Sequence, residues 1–78
     1  MPTVLRERGY RFSFYSYDLG EPIHMHVTKA GCEAKFWLHP TRLAWNRKFR
    51  ENELMEIIEI LSAHETIITE KWNERLGH

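Results

Sequence analysis

Two histidines stand two residues apart in Ile23-His24-Met25-His26-Val27. On an extended strand that spacing places both rings on one face, where they could share a metal ion. Glu21, Glu33 and His39 are near in sequence as further ligands, but spacing fixes none of them, and zinc wants three or four protein ligands. The plain alternative is a solvent-facing pair beside Lys35 and Trp37. Protonated, the pair would also suit phosphate or sense pH. A second constellation runs from His39 to Arg50, a stretch without an acid. It carries the permanent cations Arg42, Arg47, Lys48 and Arg50, with Trp45 among them. Cations neutralise phosphate and aromatic rings stack on bases, so this pattern suits single-stranded nucleic acid. The competing reading is a connecting loop whose cations offset the acidic segment that follows. Histidines with several arginines could also run acid–base cleavage of RNA. No Ser or Cys sits in a nucleophile elbow, no Gly-rich phosphate loop exists, and Cys32 has no helix terminus to lower its pKa. The balance favours a protein that is not an enzyme and needs no cofactor.

These residues must be positioned by an α+β fold: an antiparallel sheet of three to four strands, built as two hairpins, followed by one long C-terminal helix. Thr3 to Arg6 is a short strand candidate, and from Tyr10 to Tyr17 the chain alternates strictly, with Tyr10, Phe12 and Phe14 on one side. Asp18-Leu19-Gly20-Glu21-Pro22 concentrates turn formers. A reversal at Ala30-Gly31 sets Val27 opposite Ala34, Met25 opposite Phe36, His26 opposite Lys35 and His24 opposite Trp37. This register separates apolar from polar residues, as a one-residue slip would not. Ala30 suits a tight primed turn poorly, so a four-residue loop with the same register is expected. Phe12, Phe14, Met25, Val27, Ala34, Phe36 and Leu38 then form the core face. Arg11, Ser13, Tyr15, Tyr17, His24, His26, Lys35 and Trp37 form the other, with no covering element.

Within a single domain of residues 1–78, the sheet spans 1–38, a basic connecting loop 39–50 and the helix 51–76. Leu54, Ile57, Ile58, Leu61, Ile68, Trp72 and Leu76 recur at helical spacing, and Gly77 ends the helix. Unbroken, it would be about 39 Å long at ~1.5 Å per residue, longer than strands of six to eight residues. His64 and Glu65 interrupt the apolar stripe, and a carboxylate in a buried stripe is costly. Leu54 to Leu61 are therefore expected on the sheet, with Ile60, Ile67, Ile68, Trp72 and Leu76 offered to a second copy or a small partner protein. The alternative is a bend near Ser62-Ala63-His64 that folds the last turns back onto the same chain.

The totals agree with a small folded domain. The chain has 78 residues, 42% of them hydrophobic, and 11 basic against 11 acidic side chains, so it has no bulk field toward a polyanion. A core of this size rarely supplies more than about 3–5 kcal/mol, and the single Cys32 excludes an internal disulfide, which leaves a good core, a metal or association. No apolar run is long enough for a signal peptide or a membrane span, so a cytoplasmic location is expected.

Several segments together resemble a small prokaryotic family, the domain of unknown function 4160. They are Met1-Pro2-Thr3-Val4-Leu5-Arg6, Tyr10-Arg11-Phe12, Phe14-Tyr15-Ser16, Glu21-Pro22-Ile23-His24-Met25-His26-Val27, Glu33-Ala34-Lys35-Phe36-Trp37-Leu38, Leu43-Ala44, Asn46-Arg47 and the helix ending at Trp72. The resemblance implies an uncharacterised protein, one half of a toxin–antitoxin-like gene pair; the burial argument adds self-association or partner binding through the distal helix, with the polar sheet face as a second surface. The runner-up is a nucleic-acid-binding or RNA-cleaving small toxin using the His pair and the basic loop. The family pattern has a second Pro where Ile23 stands, Gly where Lys48 stands and a Ser helix cap where Arg50 stands, so this chain's loop is the more basic.

Overall fold

The computed structural model describes residues 3–15 and 20–76. Five strands form one antiparallel sheet: β1 (Thr3–Glu7), β2 (Tyr10–Ser13), β3 (His24–Lys29), β4 (Cys32–Trp37) and β5 (Arg42–Arg47), in the spatial order of the chain. Two helices follow, α1 (Glu51–Ala63) and α2 (Glu65–Arg75). This corrects the expected three to four strands and one long helix. The segment expected as a basic connecting loop contains an edge strand, and the helix is interrupted at His64. The expected Tyr17 face position, the Asp18-Leu19 turn residues and the Gly77 stop lie outside the described residues.

The β3–β4 register is the one derived from hydropathy, pair for pair. Its turn is shorter than expected. Lys29 pairs with Cys32, leaving Ala30 and Gly31 as a two-residue turn with φ of 50° and 83°. The β1–β2 turn repeats it at Arg8 and Gly9, with φ of 54° and 84°. Both central positions of such a turn are left-handed, so a glycine in the second place halves the strain and lets a non-glycine residue stand in the first.

Every residue of the expected core face is buried. Ile57, Ile60, Leu61, Ile68 and Trp72 cover that face from the helical side. Phe49, just before α1, joins them because the Asn46 amide clasps its backbone: Nδ2 donates to the Phe49 carbonyl and Oδ1 accepts from the Phe49 N–H, both at 3.1 Å. At the start of α1 the Glu53 carboxylate accepts the Arg50 N–H at 2.8 Å, which is one half of a capping box.

The helix breaks where the apolar stripe does. His64 has φ −115° and ψ 19°, and its Nδ1 donates to the Ile60 carbonyl at 2.9 Å, in competition with the backbone ladder. Its Nε2 lies 3.2 Å from Glu7 on β1, while the Glu65 carboxylate lies 2.9 Å from Nδ1 of His39 in the β4–β5 turn. The two polar residues are therefore tethered to the sheet on either side of the junction. Past it, Trp72 is 4% exposed and packs on Phe14 and His24, with ring centroids 5.1 and 5.3 Å away.

Candidate functional site

The sheet face that carries the His pair is built in cross-strand rows, with Trp72 of α2 packed over its His24 end. Directly opposed residues share a face, so Arg6, Arg11, Thr28, Glu33 and Arg47 make one row. Ser13, His26, Lys35 and Trp45 make the next, and His24, Trp37 and Arg42 a third. Both expected constellations, the His pair and the basic segment, thus meet on one surface. The register of β5 decides this. Arg42 and Arg47 are five residues apart and would face opposite ways on a regular strand. A bulge shifts the pairing so that Phe36 lies opposite Leu43 and Lys35 opposite Trp45, leaving Ala44 as the extra residue. Both arginines and Trp45 therefore reach the open face.

Aromatic contacts tie the rows together. His26 packs edge-on against Tyr15 at 4.9 Å and against His24 at 5.3 Å, and lies 6.0 Å from Trp45. His24 in turn meets Trp37 at 5.4 Å. The Lys35 ammonium stands 4.4 Å above the Trp37 ring and 2.9 Å from Glu21. The Arg47 guanidinium lies 5.9 Å from the Trp45 ring centre and 4.0 Å from Glu33. Trp45 remains 38% exposed, and Arg42 and Arg47 are exposed.

The histidines are placed differently from a solvent-facing pair. Both are buried, His24 Nδ1 donates to the Pro22 carbonyl at 2.9 Å, and Nε2 of His24 and both ring nitrogens of His26 are closed to solvent. A sealed nitrogen reaches neither a metal nor a substrate proton in this conformation. Among the described residues, no group of three His, Cys, Asp or Glu is placed to hold a metal ion. The pair serves as the floor of the ring cluster.

Of the residues expected at a partner surface, Ile60, Ile68 and Trp72 are core, while Ile67 and Leu76 are exposed. At about 100° per residue, those two point from opposite sides of the helix. Of the basic segment, Arg42, Trp45 and Arg47 lie on β5, whereas Lys48 (φ 76°) and Arg50 lie beyond it, Arg50 as the helix cap. Residues that the sequence reading missed are Arg11, Thr28 and Glu33 as neighbours of Arg47. The polar character of alternate positions on β2, β3 and β4 was visible, but their alignment with Arg47 needed β5.

The neutral total conceals a division. Residues 1–50 hold nine Lys or Arg against four Asp or Glu, and residues 51–78 hold two against seven. The rows of the open face hold Arg6, Arg11, Lys35, Arg42 and Arg47 against Glu33, so this face is basic although the net charge is zero. No helix is long and apolar enough to cross a membrane among the described residues.

No curated protein and no solved structure matches the chain. A family model, described as a domain of unknown function (DUF4160), matches residues 9–73, which takes in β2 to β5, α1 and nearly all of α2. A match over that much of the chain, spanning the sheet face and the helices that back it, places this protein in the DUF4160 family.

Proposed function

We propose that this DUF4160 protein binds single-stranded nucleic acid on the open face of its sheet. The observation that carries the reading is the bulged pairing of β5, which sets Trp45, Arg42 and Arg47 beside Lys35 and the ring cluster. An exposed indole offers a base a stacking surface, and the surrounding cations follow a phosphate backbone. Cleavage is not part of the proposal, because the ring nitrogens of His24 and His26 are closed off. Association through the distal helix is less well supported now that Ile60, Ile68 and Trp72 are taken up by the core. A role as one half of a toxin–antitoxin-like pair rests on the resemblance alone.

Fluorescence anisotropy with short labelled RNA and DNA strands tests this. With Lys35, Arg42 and Arg47 on phosphates, log K should fall with log salt at a slope of about −2, from roughly −0.7 per contact for single strands. Trp45→Ala should weaken binding about 5- to 150-fold, the effect of one stacked base. Absence of binding at low salt, or affinity indifferent to Trp45→Ala and Arg47→Ala, would overturn the proposal.

A further inference from the structure

The row Arg11–Thr28–Glu33–Arg47 contains a gap. Arg11 and Glu33 sit on β2 and β4 and are separated only by Thr28 on β3. Two strand spacings set their backbones about 9.5 Å apart, and the side chain between them is short. An open hollow is found there, lined by Arg11, Thr28 and Glu33 and by the hairpin tip from Lys29 to Cys32, with open space around the Cβ position of Gly31. Glu33 is unusual on this surface. A carboxylate among phosphate-binding cations repels a polyanion, and Glu33 is only loosely held, 3.6 Å from His26 and 4.0 Å from Arg47. An ionised carboxylate only accepts hydrogen bonds, so its presence is favourable where the ligand brings donors.

Resting on the nucleic-acid reading above, we infer that this hollow holds a guanine base and that Glu33 is the residue that selects it. Guanine presents N1–H and N2–H side by side, two parallel donors for two carboxylate oxygens. The adjoining O6 and N7 are acceptors of the kind arginine bonds. Arg11 supplies that arginine on the opposite wall; its Nε is already held by Thr3 Oγ1 at 2.9 Å, which fixes the guanidinium plane. Adenine and cytosine offer the carboxylate one amino group each, and uracil brings a carbonyl on either side of its single N–H. Next to the hollow, Trp45 in the adjacent row provides stacking for a neighbouring base.

The experiment uses uridine strands carrying one central guanine, inosine, adenine or uracil, titrated into the full chain. Guanine should bind about 10- to 100-fold more tightly than adenine or uracil, the discrimination of one bidentate pair, with inosine, which lacks the N2 amine, in between. Glu33→Gln should abolish that preference while the all-uridine strand binds as well or better. Should Glu33→Gln disturb the fold through His26, Thr28→Tyr fills the gap instead. It should remove the guanine preference and keep the salt-dependent affinity for uridine. Equal affinity of the unaltered protein for all four strands would overturn the guanine site and leave the sheet-face reading standing. No binding of any strand would overturn both.

Discussion

At Tyr10 the side chain is buried beneath α1 and its hydroxyl donates to Glu56 at 2.7 Å, while Arg8 approaches the same carboxylate at 3.3 Å. The Tyr10 hydroxyl is pushed up to about 12, first by burial and then by that bond; the Glu56 carboxyl is held below its usual range, chiefly by the same bond and then by Arg8. The two groups stabilise the fold in different windows. A lowered carboxyl contributes fully above its unfolded value near 4.5 and loses that contribution as pH falls through the folded one. A raised phenol contributes fully below its unfolded value of 10.0, and the contribution is lost as pH climbs toward 12. At about 1.4 kcal/mol per pH unit, the alkaline loss is on the order of 2–3 kcal/mol. Urea unfolding of Tyr10→Phe should therefore show a stability falling less steeply above about pH 10 than that of the unaltered protein. A parallel decline in both would place the alkaline sensitivity elsewhere. Tyr10 was legible as an inward strand residue and Glu56 as one of an acidic helix run. Their bond crosses 46 residues, and no local pattern announces it.

Among the elements, the contrast lies between β3–β4 and β5. Met25, Val27, Ala34 and Phe36 alternate with polar residues, so only one register buries them, and that register could be derived in advance. In Arg42-Leu43-Ala44-Trp45-Asn46-Arg47 three apolar residues are contiguous, and every position ends up exposed. Such a segment has no face of its own to bury; it is a strand because the edge of β4 is there to pair with. The helix shows the same division. His64 and Glu65 marked the interruption, but the choice between a partner and the chain's own sheet was decided by Phe14 and His24 waiting beneath Trp72. Trp72→Ala should therefore cost about 3–5 kcal/mol of folding stability, the usual loss for an indole removed from a core. Sedimentation of the folded variant should match that of the unaltered protein. A shift in sedimentation with stability intact would return Trp72 to an interface.

Across the whole molecule, charge is unevenly distributed. Residues 51–78 carry seven acids and two cations, while the rows of the open sheet face carry Arg6, Arg11, Lys35, Arg42 and Arg47 against Glu33. Screening confines each charge's influence to about 8–10 Å at moderate salt, so nucleic-acid affinity should follow the face and not the total. Glu70→Lys on the exposed side of α2 and Arg47→Glu on β5 change the net charge by equal and opposite amounts. Near 0.15 M salt, the first should alter RNA affinity by no more than about twofold and the second should reduce it by about tenfold or more. Equal and opposite changes would show that only the total matters. Lys48, directly after β5, is left-handed with φ 76°, so the chain accepts strain at a cation next to the basic face.

Hydropathy alternation, a property of neighbouring residues, was enough to show from the sequence alone which residues of β2 to β4 face the core, how β3 meets β4 and where the helical stripe is interrupted. The tertiary structure alone decided that β5 exists, that its bulge turns Arg42, Trp45 and Arg47 to the same side, and that the His pair is roofed by rings. The physical reason is that an edge strand and a bulge gain their stability from a neighbouring backbone rather than from their own side chains. Until that neighbour is in place, nothing in the order of the residues distinguishes such a strand from a loop.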